Sequence, residues 1–262
     1  MSELKALIFD VDGTLADTEA DGHRVAFNKA FAEAGLNWYW SLELYGELLA
    51  VTGGKERILH YIENYHPEFM APGELGEFIA TLHRAKNGYY AEMVAAGDIP
   101  LRPGVKRLLQ EALQAGLRLA IATTTSLENV EALLEHSLDP DAVSWFEVIA
   151  AGDMVAAKKP APDIYHYALD ALNLPAAQCL AVEDSLNGLR SALAADLKTL
   201  VTVSDYTRNQ RFNGAALVVD QLGEPGQPMT VLAGDADAAT LIDVDALRWI
   251  FNDGESRLAE RA

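Results

Sequence analysis

The chemistry-bearing residues nearest the start of the sequence are Asp10-Val11-Asp12-Gly13-Thr14, directly after the apolar run LKALIF. Residues two apart on an extended chain point the same way, so Asp10 and Asp12 face one cavity. Carboxylates that close repel each other, which favours a bound cation or a raised pKa on one of them. Three more groups occupy the same kind of position. Thr123-Thr124-Thr125-Ser126 follows LRLAIA and offers hydroxyls and free N–H groups of the kind that hold a phosphate at a helix start. Lys158-Lys159-Pro160-Ala161-Pro162-Asp163 sets a cation just before the prolines of a first helical turn. Glu183-Asp184-Ser185 follows CLAV, and acids ending an apolar strand are costly unless compensated, so metal ligation is their better use. Jointly the four groups supply oxygen ligands for Mg2+, a nucleophile, a second acid, hydroxyls and a lysine.

The elements that must position these residues follow from the hydrophobic pattern. Short apolar runs recur at 4–9, 117–122, 145–149, 179–182, 199–203 and 216–219. Between most of them lie helical patterns at 105–115, 127–137, 163–172 and 186–195. This alternation predicts an α/β fold, a Rossmann-like parallel sheet core with helices on both faces. Open parallel sheets bind ligands at the carboxyl ends of their strands, where all four groups fall. Residues 17–98 break the rhythm and read as consecutive helices, from Thr18 to Gly35, over 42–50, after Gly53-Gly54 and over 74–94. The expected organisation is therefore a core domain of residues 1–16 and 99–262, with an α-helical cap domain, 17–98, inserted after the first strand. Beyond Gly223 the tail reads as a loop and a short amphipathic helix without evident chemistry.

Lys and Arg total 20 against 39 Asp and Glu, a formal net charge of −19, which argues against nucleic acid or an anionic membrane as partner. No apolar run approaches a membrane span, the first residues lack a signal-peptide pattern, and Cys179 is the single cysteine. A cytoplasmic, monomeric enzyme for a small molecule is the expectation. An anionic substrate would need placed cations, and residues 17–98 contain several on apolar stripes. Lys55 lies three and four residues before Ile58 and Leu59, His23 four before Phe27, and Lys86 four before Tyr90. The competing reading for each is a side chain snorkelling at the stripe's edge. Facing one cleft, they would bind a second phosphate.

In order and spacing, FDVDGT, the Thr after the second run, K-P-x-P-D and E-D-S resemble the haloacid dehalogenase superfamily. The resemblance implies that Asp10 attacks phosphorus and forms an aspartyl-phosphate, and that Asp12 acts as general acid and base with a pKa near working pH. It implies Mg2+ held by Asp10, the Asp12 carbonyl and Asp184, with Glu183 completing or supporting the site. Thr123 and Thr124 would hold phosphate oxygens, and Lys159 would neutralise charge. Superfamily dehalogenases lack the second aspartate, so dehalogenation is set aside. The stretches DTEADGHRVAFN, LYGELL, GGKERI, FIATLHRAK and LRPGV further resemble the CbbY-type phosphatases. Their substrate is xylulose 1,5-bisphosphate, an inhibitor of Rubisco, cleaved to xylulose 5-phosphate. This implies Glu19 as a ligand of sugar hydroxyls and His23, Arg24, Lys55, Arg57 and Lys86 as contacts to the sugar and its distal phosphate. One alternative is a β-phosphoglucomutase-like enzyme, which returns the phosphoryl group to sugar. Another is a non-catalytic sugar-phosphate-binding protein, whose mark would be loss of Asp10, Asp12, Lys159 or Asp184.

Overall fold

Strand β1 (Ala6–Phe9) is apolar and buried throughout, as a strand covered on both faces must be. In the computed structural model, which describes residues 3–259, it pairs in parallel with β2 (Arg118–Ala122) on one side and β4 (Cys179–Glu183) on the other. β3 (Phe146–Ala150) extends the sheet beyond β2, and β5 (Lys198–Thr202), β6 (Leu217–Val219) and β7 (Val231–Gly234) extend it beyond β4. The order β3-β2-β1-β4-β5-β6-β7 reverses direction at β1 and β4, so the strand ends there form the crevice in which doubly wound sheets bind ligands.

Alternation along the strands divides the core. Leu7, Phe9, Leu119, Ile121, Leu180 and Val182 face α5 (Val105–Gln114) and α9 (Val244–Ala259). Ala6, Ile8, Ala120, Ala122 and Ala181 face α7 (Asp163–Leu172). The other core helices are α6 (Leu127–Leu133) after β2 and α8 (Leu186–Ala194) after β4. The tail differs from the loop expected of it. Residues 231–234 add β7, antiparallel to β6, before α9 begins. VLAG is short and exposed at every position, so it lacks both the alternation and the buried run that mark strands in sequence.

After β1 the chain leaves the sheet through a single π-helical turn, Glu19–His23, into α1 (Arg24–Glu33), α2 (Leu42–Leu48), α3 (Gly54–Tyr65) and α4 (Leu75–Ala95). This insertion has its own aromatic core, in which Phe27, Phe31, Trp38, Trp40, Tyr45 and Tyr61 are buried together. Asn28 holds the loop before α2 by accepting from Trp40 N–H at 2.8 Å and donating to its carbonyl at 3.0 Å. The two ends of the insertion meet where Ala16 pairs antiparallel with Leu101. Among the described residues no helix is long and apolar enough to cross a membrane.

Candidate active site

Phe9 pairs with Ile121 and Val182, which brings Asp10 to the edge of the sheet between β2 and β4, its N–H on Val182 O at 2.9 Å. The loop before α7 carries Lys159 inward, where its ammonium donates to Asp10 Oδ1 at 2.7 Å and Glu183 Oε1 at 2.6 Å. Tyr165, one turn into α7, donates its hydroxyl to the same Glu183 oxygen at 2.6 Å and lays its ring against the ammonium. The first turn of α8 passes so close that a Cβ on Gly188 would overlap the Glu183 carboxylate. Asp184 accepts from Ser204 Oγ at 2.9 Å and rests against the turn at Gly13, where φ is +85° and a Cβ would overlap its carboxylate.

Asp10, Glu183 and Asp184 each offer an oxygen within 4.8 Å of the others, and all are buried. Burial pushes the Asp10 carboxyl up to about 7; Lys159 pulls it down, while Glu183 and Asp12 push it further up. Burial and the charges of Asp10 and Glu183 also push Asp184 well above the usual carboxylate range. For Lys159 burial opposes the charge, but the Asp10 and Glu183 carboxylates outweigh it and hold the pKa above the ordinary lysine value. The ammonium pairs with two of the three buried carboxylates, Asp10 and Glu183, and leaves Asp184 with only the Ser204 hydroxyl and the Arg102 charge to offset it. A hard divalent cation that takes oxygen ligands fits that deficit. Glu183 is 0 % exposed and absent from the cavity wall, whereas Asp10 and Asp184 line it.

Asp12 points across the crevice toward the insertion. Its Oδ1 accepts from Thr18 Oγ1 at 2.5 Å and meets His23 Nε2 at 2.8 Å, and its Oδ2 accepts from the Thr125 hydroxyl. Burial alone would raise this carboxyl, but the His23 charge and the three hydrogen bonds outweigh it and hold the group well below the usual range. The pKa near working pH expected for Asp12 is therefore not what this arrangement provides, because a cap-borne imidazole sits on the carboxylate.

Three adjoining cavities follow the seam between sheet and insertion. The one over Asp10 measures about 300 Å3 and is lined also by Asp12, Glu19, Arg57, Thr124, Lys159 and Asp184. A constriction of about 40 Å3 follows, lined by His23, His83 and Lys86. The last, about 420 Å3, contains Lys55, His83, Asn87, Ser126 and Lys158. Thr124 lines all three. Thr123 lies beneath it, 1 % exposed, its Oγ1 accepting from Thr125 N–H at 3.3 Å, which leaves the hydroxyl proton free.

The predicted cap residues separate into two kinds. Glu19 accepts from Tyr45 OH at 2.5 Å, and Arg57 donates to that oxygen at 2.9 Å, so a buried chain fixes both at the cavity. Lys86 is 4 % exposed with no carboxylate beside it, set between the rings of Phe27 and Tyr90. Lys55 pairs with Asp153 of the core, which also takes Lys158 at 2.7 Å. Arg24 is the exception. Its guanidinium donates to the carbonyls of Ala20 and Trp40, ties the loop before α2, and lines none of these cavities. Sequence reasoning missed Thr18, Tyr45, Tyr165 and Ser204. Ser204 alone carried a signal, since it follows the apolar run at 199–203 as Asp10 follows the first.

Comparison with known proteins adds four findings. The sequence model of the haloacid dehalogenase-like hydrolases matches residues 4–196. The protein CbbY of Cupriavidus necator is 51% identical over 226 residues, 86% of this chain and 89% of that one. A crystal structure of a CbbY variant from Rhodobacter sphaeroides in complex with xylulose-1,5-bisphosphate is 49% identical, with a TM-score of 0.79 over 85% of this chain and 96% of that chain. A β-phosphoglucomutase from Clostridium difficile shares the fold at 21% identity, with a TM-score of 0.72 over 97% of this chain and 100% of that chain.

Proposed function

We infer the substrate from a premise: the chain belongs to the haloacid dehalogenase-like hydrolase family, and it is a phosphatase acting on sugar phosphates. The proposed substrate is xylulose 1,5-bisphosphate, hydrolysed to xylulose 5-phosphate with Mg2+ as cofactor. The observation that carries this reading is the run of cavities with a phosphoryl-transfer cluster at one end and Arg57, His83, Lys86 and Lys55 along the rest. Among them Lys86 is a buried cation with no carboxylate beside it, and in a chain of net charge −19 that is suited to a substrate anionic at both ends. The CbbY relative bound to xylulose-1,5-bisphosphate supports the same choice. Residues 17–98 then act as the cap over a core of 1–16 and 99–262, of which residues 1–2 and 260–262 lie outside those described.

In the proposed reaction an Asp10 oxygen attacks the phosphorus on C1, forming the aspartyl-phosphate as the P–O bond to the sugar breaks. The leaving oxygen takes its proton from the Asp12–His23 pair, and Asp12 later accepts a proton from the water that cleaves the acyl phosphate. Thr123 and Thr124 donate to phosphoryl oxygens, and Lys159 offsets charge on Asp10 and the phosphoryl group. Asp10, the Asp12 carbonyl and Asp184 would hold Mg2+, with Glu183 behind them fixing Lys159. When bound, the ion supplies positive charge to phosphoryl oxygens. Glu19, positioned by Tyr45 and Arg57, accepts from sugar hydroxyls.

Phosphate release should be compared among xylulose 1,5-bisphosphate, ribulose 1,5-bisphosphate and β-glucose 1-phosphate. The first should have the highest kcat/KM, and chelation should abolish turnover until Mg2+ is restored. Slower turnover of the first than of the others would sink the substrate while leaving the phosphatase. Glucose 6-phosphate formed from β-glucose 1-phosphate would point to a mutase instead, and full activity in Asp10→Asn would refute the covalent route.

A further inference from the structure

Arg102 stands on the return from the insertion to the sheet, next to Leu101 of the Ala16–Leu101 pair, with its own N–H on Leu15 O at 2.9 Å. Its side chain is 6% exposed; its ion-pair partner is the exposed Asp17, 3.4 Å from Nε, and its charge also reaches the Asp184 carboxylate and draws its pKa down. The rest of the guanidinium serves backbone. Nη1 donates to Gly13 O and, at 2.9 Å, to Thr202 O. Nη2 donates to Val203 O at 2.6 Å and Asp220 O at 2.7 Å. These carbonyls lie at the ends of β1, β5 and β6, so one side chain joins three strand-end loops.

Two of those loops enclose Asp184. Gly13 is close enough that a Cβ would overlap its carboxylate, and Ser204, the residue after Val203, donates to it at 2.9 Å. Gly13 also shares a peptide bond with Asp12, whose carbonyl the proposed metal site uses. We propose that Arg102 is a positioning residue for the metal: by fixing Gly13 and Val203-Ser204 it sets the Asp12 carbonyl against the Asp184 carboxylate, touching neither metal nor substrate. The inference rests on the Mg2+ reading above. Lysine cannot substitute, because its donors radiate from a point whereas the planar fork reaches two carbonyl pairs at once.

The experiment measures metal affinity in Arg102→Lys directly, by Mn2+ binding without substrate, and by the Mg2+ dependence of turnover. Both constants should weaken about tenfold or more, the range for residues that orient metal ligands, while KM for the sugar phosphate at saturating metal stays near wild type. Arg107→Lys is the control. Arg107 likewise donates to the carbonyls of Gly223 at 2.8 Å and Ile242 at 3.1 Å, but it holds no residue against Asp184. It should lower Tm and leave metal affinity alone. Ser204→Ala, which leaves every Arg102 bond in place, should weaken the metal by the same route and serves where Arg102→Lys does not fold. Unchanged metal constants in folded Arg102→Lys, or in Ser204→Ala, overturn the proposal. A wild-type protein that neither binds nor needs the metal overturns the Mg2+ reading instead.

Discussion

Lys86 illustrates what a buried cation costs the fold. Burial pulls its pKa down to about 8 from 10.5, with Asp12 and Glu19 pulling up and Arg57 down. Across that window the unfolded chain still holds a proton that the folded chain has released, so stability rises with pH. Below it the buried charge is a standing penalty. Lys86→Met should therefore stabilise the substrate-free protein at neutral pH by about 2–3 kcal/mol and abolish the rise between pH 8 and 10.5, while raising KM. Urea titrations across that range test this; a rise that survives the substitution refutes the account. Tyr165→Phe removes a donor from buried Glu183 and should cost about 1.5–3 kcal/mol of stability and much of kcat, with KM little changed. Lys86 was legible because a cation on an apolar stripe breaks a pattern. Tyr165 was not, because a tyrosine on a buried helical stripe obeys one.

Among the elements, strands buried on both faces were legible as continuous apolar runs, and Asp10, Thr123 and Glu183 follow from the rule that sheet ligands gather at strand ends. What local pattern could not supply was contact between elements. Nothing near Gly188 reveals that Glu183 fills the space its Cβ would take. Helix propensity favours alanine over glycine by about 1 kcal/mol, yet Gly188→Ala should destabilise by about 2 kcal/mol and lower kcat by displacing Glu183 from Lys159. Gly88 in α4 has nothing within 4 Å of a built Cβ, and Gly88→Ala should stabilise by about 0.5–1 kcal/mol without touching activity. Chemical denaturation of the two variants side by side decides the matter, and equal signs would refute the packing argument.

For the whole molecule, the cluster of Asp10, Glu183 and Asp184 is a net acidic core inside an acidic chain. A ligand that binds only the folded state stabilises it, by about 2.7 kcal/mol at a hundred times its Kd. Mg2+ should therefore raise Tm. Metal-free Asp184→Asn should melt above metal-free wild type and gain nothing from Mg2+; a wild-type Tm indifferent to Mg2+ would contradict this. The separation of sheet core from insertion was legible as a change of rhythm, and the mutual seating of the two was not. Its aromatic cluster also gives the protein a two-channel optical signal. Trp38 and Trp40 are buried in the insertion, and the Trp40 indole N–H meets no acceptor, whereas Trp145 and Trp249 are only partly buried against the sheet core. The first pair should emit toward the blue and be shielded from acrylamide, while the second should emit toward the red and be quenched first. Loosening of the helical layer alone would shift the blue component and leave the red one in place, so one fluorescence spectrum reports on each half of the molecule without a label.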